Sequence, residues 1–145
     1  YFDARLRETY PRLVTRSVDA ATNSEAYGDL LRRAIRSNLV VVSIYSNFAG
    51  KVELPDATVE FVNELASRSI THVVITFGNP YLISFFPDAQ AYLLAWSSAQ
   101  VSQEAAADAL FGGIAITGRS PIGMDPFFAI GDGIQIPLKV SASER

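Results

Sequence analysis

The stretch VVITFGNPYLISFFP, residues 73–87, decides the fold because an unbroken apolar run ends abruptly in a polar turn. The run THVVITF, residues 71–77, lacks alternation, which is typical of a strand covered on both faces of a parallel sheet. In the turn GNPY, residues 78–81, the glycine permits a positive φ and the proline presets φ for a first helical position. Asn79 precedes that proline, so we predict that it caps the next helix. This turn chemistry leaves open whether Asn79 and Tyr81 also face a partner.

Other β-rich runs alternate with helical patterns along the chain. The strand candidates are LVVVSIY at 39–45, AYLLAW at 91–96 and a weaker LVTRSVD at 13–19. Helical periodicity covers YFDARLRETY at 1–10, TNSEAYGDLLRRAIRS at 22–37, PDATVEFVNELASR at 55–68 and AQVSQEAAADALFGG at 99–113. Such alternation implies helices on a mostly parallel sheet. We therefore predict an α/β fold, a flavodoxin-like three-layer αβα sandwich.

The sequence pattern changes after residue 113, where glycine and proline residues interrupt both helical and strand periodicity. GIQIPL, residues 133–138, is predicted to form a last short strand at a sheet edge, because Pro137 lacks the N–H that a ladder needs. The final stretch, KVSASER, is mostly polar and has weak helical and strand periodicity. We expect one domain over residues 1–140, followed by a linker or frayed terminus at 141–145.

Composition excludes several classes of protein. The net charge is −3 and the 12 Lys and Arg residues are scattered, which argues against a nucleic-acid-binding face. The chain has no cysteine and one histidine, so we expect neither a disulfide, a metal site nor a cofactor that depends on them. No apolar run approaches the roughly 18 residues of a membrane span. A cysteine-free protein is at home on either side of a membrane, so the compartment stays open.

Ligands of open parallel sheets bind beyond the carboxyl ends of the strands, which here are residues 46–48, 78–81 and 97–98. This edge carries Ser46, Ser97 and Ser98 but no phosphate-binding glycine loop and no nucleophile elbow. His72, the single histidine, begins a strand. We expect it to be partly exposed at the opposite edge, away from the serines, where it forms no Ser–His pair.

Two neighbouring carboxylates, Glu53 and Asp56, are the remaining acid/base candidates. Asp56 follows Pro55 at the start of a predicted helix, where the helix dipole alone favours a negative charge. We therefore assign no catalytic residue in this chain.

Four motifs resemble the C-terminal domain of glycoside hydrolase family 3. They are TFGNPYL at 76–82, PDAQAYLLAW at 87–96, QEAAADALFG at 103–112 and GRSPI at 118–122. The resemblance is strongest to the β-N-acetylglucosaminidase, or β-hexosaminidase, branch and covers nearly the whole chain. One departure is Ser120, where the family usually has leucine, which implies a loss of buried apolar contact.

The resemblance implies an accessory domain that packs on an N-terminal TIM-like barrel absent from this chain. In the family that barrel carries the aspartate nucleophile of a retaining mechanism, and in this branch also an Asp–His pair. The chain would then be inactive alone, with N-acetylglucosamine-containing glycan bound by the parent enzyme. Asn79, Pro80, Tyr81 and Arg119 are the implied substrate-facing or interdomain residues. The family domain usually begins with one further strand, so the first strand of the sheet is expected to be missing.

Two other interpretations remain at this point. The chain would otherwise be a stand-alone flavodoxin-like binding module or a structural or regulatory pseudo-domain. The resemblance also favours a bacterial periplasmic or extracellular location over a cytoplasmic one.

Overall fold

The computed structural model describes residues 1–46 and 54–139. The chain forms two compact units. The first joins Tyr1–Thr15 to the described residues from Ala99 onward, and the second is Arg16–Ser98. The first unit contains helices α1 (Phe2–Thr9) and α4 (Gln100–Phe111). The second contains, in chain order, α2 (Ser24–Ala34), β1 (Val40–Ser46), α3 (Asp56–Ser67), β2 (His72–Gly78), a 3₁₀ helix (Pro80–Phe85) and β3 (Tyr92–Leu94).

The sheet of the second unit has three parallel strands in the order β1-β2-β3. Val40 pairs with His72, Ser46 pairs with Gly78, and Val74 pairs with Tyr92. The central strand β2 is buried along its length up to Phe77, as its unbroken apolar run predicts. The predicted α/β fold, with a parallel sheet flanked by helices, is confirmed.

One core cluster joins the sheet to the elements packed on it. Its buried members lie in two strands, in α3, and in or next to the 3₁₀ helix. They are Ile44, Val62, Val74, Leu82 and Phe86. Burying a side chain of this size contributes roughly 1.5–3 kcal/mol. Helix α2 packs on α3, where the hydroxyls of Tyr27 and Thr58 lie 2.7 Å apart.

Several element predictions need correction. Residues 13–19 form no strand, because Val14 and Val18 are exposed instead of packing in a core. The third strand covers only Tyr92–Leu94 of the predicted 91–96. The predicted strand at 133–138 reduces to one antiparallel bridge between Ile116 and Ile136.

In the first unit, α1 and α4 pack through an ion pair and an aromatic contact. Arg5 Nε donates to Asp108 Oδ1 at 2.8 Å, and this bond is the main reason that the pKa of Arg5 is raised further above its ordinary value. The rings of Tyr10 and Phe111 lie 5.3 Å apart. None of the helices within residues 1–46 and 54–139 has the length and apolar character needed to cross a bilayer.

The end of α4 is closed by a later part of the chain. Gly112 has φ 74°, the left-handed conformation that glycine adopts at helix ends. The Lys139 N–H donates to the Gly112 carbonyl at 3.0 Å. A Cβ on Gly112 would lie 2.6 Å from Lys139 Cγ, so the lysine methylenes fill the place of the absent side chain.

Candidate functional site

The turn after β2 depends on a glycine that no other residue replaces. Gly78 has φ 119°, and a Cβ at this position would collide with the carbonyl oxygen of Ser46 on β1. Only glycine allows this backbone conformation and this close approach together. The ends of β1 and β2 therefore meet backbone to backbone at the carboxyl edge of the sheet.

Asn79 holds the next step of the turn. Its side-chain Oδ1 accepts a hydrogen bond from the Tyr81 N–H at 2.9 Å, and it caps the 3₁₀ helix with Pro80 in the first turn. The predicted capping role is confirmed, although the helix that it caps is 3₁₀ rather than α. Asn79 is 3% exposed and Pro80 is buried, whereas Tyr81 is 40% exposed. Two of the sequence-predicted residues thus position the third, which reaches the surface.

Three buried hydroxyl groups lie on the strands of the sheet. Ser46 Oγ, Thr76 Oγ1 and Tyr92 Oη are buried without a hydrogen-bond partner among the described residues. Burial raises the pKa of Tyr92 to about 12. The nearby Thr76 hydroxyl opposes this rise, although the two hydroxyls do not meet hydrogen-bond geometry.

Trp96 also lies at this edge, and the run AYLLAW predicted it only as part of a strand. It lies just beyond β3, where Ala95 N–H still donates to the Thr76 carbonyl at 2.9 Å. Trp96 has φ 53° and is 37% exposed. A bulky residue in the left-handed region costs about 1–3 kcal/mol, and such strain clusters at functional positions. No local pattern in AYLLAW predicts this conformation, which is seen only in the backbone dihedral angle.

His72 lies at the opposite end of β2, as predicted, but its predicted exposure is wrong. It is 2% exposed, because its strand is the central one of the sheet. Its backbone N–H donates to Gln90 Oε1 at 3.3 Å. Its Nδ1 lies 2.8 Å from the Ile70 carbonyl. Ser46 pairs with Gly78, six positions along β2, so the histidine and this serine are separated by roughly 20 Å.

The remaining acid/base candidates do not converge with the turn. Asp56 is exposed in the first turn of α3, as its position after Pro55 predicts. Glu53 and residues 47–48 lie outside the described residues. Within 1–46 and 54–139, no three His, Asp or Glu side chains gather in a metal-binding arrangement. Ser97 and Ser98 are exposed beyond β3.

Arg119 belongs to the first unit, in the GRSPI segment. Its Nη1 donates to the Gly131 carbonyl at 2.9 Å. Next to it, the Ser120 hydroxyl donates to the Ile122 carbonyl at 2.7 Å, and the Ser120 N–H donates to the Asp132 carbonyl at 2.7 Å. The hydroxyl bond stabilises the turn in place of the apolar contact expected from leucine. The structure thus groups Asn79, Pro80 and Tyr81, and places Arg119 in the other unit.

Comparison with known proteins gives one family. The model of the glycosyl hydrolase family 3 C-terminal domain matches residues 9–128, which include all four motifs and both loops described above. Neither a curated protein nor a solved structure matches the chain. Domains of this family typically pair with a catalytic domain. Since the match spans most of the sequence, the chain belongs to the glycosyl hydrolase family 3 C-terminal domain family.

Proposed function

We propose that this chain is the accessory αβα domain of a retaining β-N-acetylglucosaminidase, and that it is inactive by itself. It packs on a catalytic TIM-like barrel of the same parent protein, which binds the N-acetylglucosamine-containing glycan. The sugar specificity rests on the FGNPY and YLLAW motifs, which resemble that branch of the family. The accessory role rests on the family membership.

The structural observation that supports an interface role for Tyr81 is the construction of the turn after β2. Gly78 and the buried Asn79 and Pro80 fix the backbone, and Tyr81 emerges from it 40% exposed. The Asn79 side chain accepts the backbone N–H of Tyr81 and so fixes the point at which this exposed tyrosine leaves the chain. Tyrosine is among the residues that contribute most at protein interfaces. We therefore assign to Tyr81 the contact with the barrel or its substrate, and to Asn79 and Pro80 the positioning of Tyr81.

Arg119, which belongs to the other unit, is a separate candidate for a contact with the barrel or its substrate. Its guanidinium is exposed and anchored through one nitrogen to Gly131, which leaves further donors of the planar group for another acceptor. Arginine presents several fixed donors, so it suits recognition of carboxylates and of sugar hydroxyls.

The test is hydrolysis of a chromogenic β-N-acetylglucosaminide. The 145-residue chain is assayed alone and expressed together with the coding sequence that precedes it in its gene. We expect turnover only in the longer protein. Turnover by the 145 residues alone would overturn the accessory role and direct attention to Glu53, Asp56 and His72. A longer protein that cleaves a β-glucoside but not the acetylglucosaminide would overturn the branch and keep the domain role.

A further inference from the structure

Two late segments of the first unit run side by side in opposite directions. They are residues 112–120 and 131–139, and we name them the ribbon. At its middle, Ile116 and Ile136 exchange backbone hydrogen bonds of 2.8 and 2.9 Å in an antiparallel bridge. Further backbone bonds close the two ends, from the Lys139 N–H to the Gly112 carbonyl at 3.0 Å and from the Ser120 N–H to the Asp132 carbonyl at 2.7 Å.

One side of the ribbon is aliphatic. Side chains that face each other in an antiparallel bridge lie on the same side, so Ile116 and Ile136 share a side. Residues 132–139 contain no turn or bend, and side chains alternate along such an extended segment. Ile134 and Leu138 therefore lie on the side of Ile136, and Gln135 lies on the other. We name Ile116, Ile134, Ile136 and Leu138 the aliphatic side.

The aliphatic side is largely exposed. Ile134 is 79% exposed, Leu138 50% and Ile136 45%, whereas Ile116 is partly buried. An apolar side opposite a polar one is the pattern of antiparallel strands that pack one face on a core. A two-stranded ribbon without such packing is at best marginally stable in water. The pattern and the exposure together indicate that another surface covers the aliphatic side.

The chemistry of the aliphatic side selects the kind of partner. Residues 115–118 and 133–138 include no Asp, Glu, Lys or Arg. Nucleic acids and anionic membrane surfaces are bound through lysine and arginine, which the aliphatic side lacks. Isoleucine and leucine side chains offer only shape and apolar area. The surface that matches them is therefore an apolar patch of a protein.

The size of the aliphatic side decides between a separate protein and a joined domain. The exposed parts of its four side chains amount to roughly a few hundred Å². Independent proteins that form a stable complex bury about 800 Å² on each partner, so this surface is too small to hold a second copy of the chain. Domains of one chain meet at effective concentrations on the order of millimolar, and their interfaces begin at about 600 Å² in total.

We propose that the aliphatic side of the ribbon is a surface with which this domain packs on its catalytic domain. The choice of partner rests on the proposed function and on the pairing that is typical of this family. The ribbon belongs to a different unit from the turn that carries Tyr81, so the two contacts can be tested separately.

The test compares two substitutions that lie one residue apart. Ile134→Glu places a carboxylate on the aliphatic side, and Gln135→Glu places the same charge on the opposite side. Both positions are exposed, so in the 145-residue chain both variants are expected to melt within about 1–2 °C of the original.

The measurement is amide hydrogen exchange of residues 131–139. It is made on the 145-residue chain and on the longer protein that includes the coding sequence preceding it. We expect slower exchange in the longer protein, because a covered ribbon opens less often. Ile134→Glu is expected to abolish this protection, since it would bury an unpaired carboxylate. Gln135→Glu is expected to keep it.

Equal exchange of the ribbon in the chain and in the longer protein would overturn the proposal. Equal loss of protection in both variants would also contradict it, because the contact would then not lie on the aliphatic side. A dimer of the 145-residue chain in sedimentation, abolished by Ile134→Glu, would assign the surface to a second copy instead. A longer protein that protects the ribbon but cleaves no β-N-acetylglucosaminide contradicts the proposed function and leaves this contact standing.

Discussion

The two ends of β2 each bury a polar side chain, and they treat it differently. At the carboxyl end, Asn79 is 3% exposed and its Oδ1 accepts the Tyr81 N–H. At the amino end, His72 is 2% exposed, and its Nε2 has no partner among the described residues. The two side chains are therefore about equally buried, but only His72 has a buried polar atom without a hydrogen-bond partner among the described residues. A buried group stabilises a fold only when its hydrogen bonds are made, so replacing Asn79 should cost more than replacing His72.

The largest expected effect comes from Gly78→Ala, which would break the carboxyl end. The added Cβ meets the Ser46 carbonyl, and φ 119° is a conformation that alanine avoids. We expect a loss of about 3 kcal/mol or more in the free energy of unfolding, measured by urea denaturation. Gly118→Ala is the control, because nothing lies within 4 Å of its added Cβ. Equal, small effects of both changes would contradict the described approach of β1 to β2.

Asn79→Ala tests the satisfied group itself. It removes the acceptor of the Tyr81 N–H inside a buried turn, so we expect a loss of about 1–2 kcal/mol in the free energy of unfolding. Asn23→Ala removes a comparable cap, that of α2, where Asn23 Oδ1 accepts the Ala26 N–H at an exposed site. Its loss is expected to be smaller, near 0.5 kcal/mol. An unchanged melting temperature for Asn79→Ala would count against the capping role.

The Tyr92 hydroxyl extends the comparison to a group that titrates. Its folded pKa is raised to about 12 from an ordinary value of 10.0, so the folded state holds the proton more tightly than the unfolded state. The corresponding stability is complete below pH 10 and is lost as the pH rises from 10 toward 12. At pH 11 the loss is roughly 1 kcal/mol relative to pH 9. Tyr92→Phe removes this part of the pH dependence, and parallel melting curves of the two proteins between pH 9 and 11 would show otherwise.

The smallest effect is expected at the amino end. His72→Leu removes an unpartnered Nε2 together with one contact to the Ile70 carbonyl, and these changes nearly cancel. The free energy of unfolding should stay within about 1 kcal/mol of the original. His72→Ala, which also empties packed volume, should cost more. A loss above that of Asn79→Ala would contradict this near-cancellation.

Much of the strand-bearing unit was predictable because its signals are local. Unbroken apolar runs identified β1 and β2, and Gly-Asn-Pro identified the turn and its cap. The exposure of His72 was not predictable, because it depends on which strand lies at the centre of the sheet. The conformation of Trp96 was not predictable either, since a left-handed tryptophan has no residue signature. Residues 13–19 were misassigned because a short stretch with a few apolar residues forms a strand only when those residues are buried, and Val14 and Val18 are exposed.

The site was predictable in the same uneven way. Asn79, Pro80 and Tyr81 were identified from turn chemistry and family resemblance, but their division into buried supports and an exposed contact required burial values. Tyr45 and Trp96 were not identified as surface residues, because an aromatic residue at the end of an apolar run is usually core.

The closure of α4 by Lys139 has a consequence for how this family of domains varies. Lys139 N–H bonds the Gly112 carbonyl, and Ile116 and Ile136 exchange two bonds of 2.8 and 2.9 Å, so the chain between them is a loop with both ends fixed. The entropy of closing a loop grows only with the logarithm of its length, and doubling the length costs about 0.6 kcal/mol. Insertions between Arg119 and Gly131 should therefore cost less than one residue added between Gly78 and Pro80. Natural length variation is expected to collect in the first place and to avoid the second.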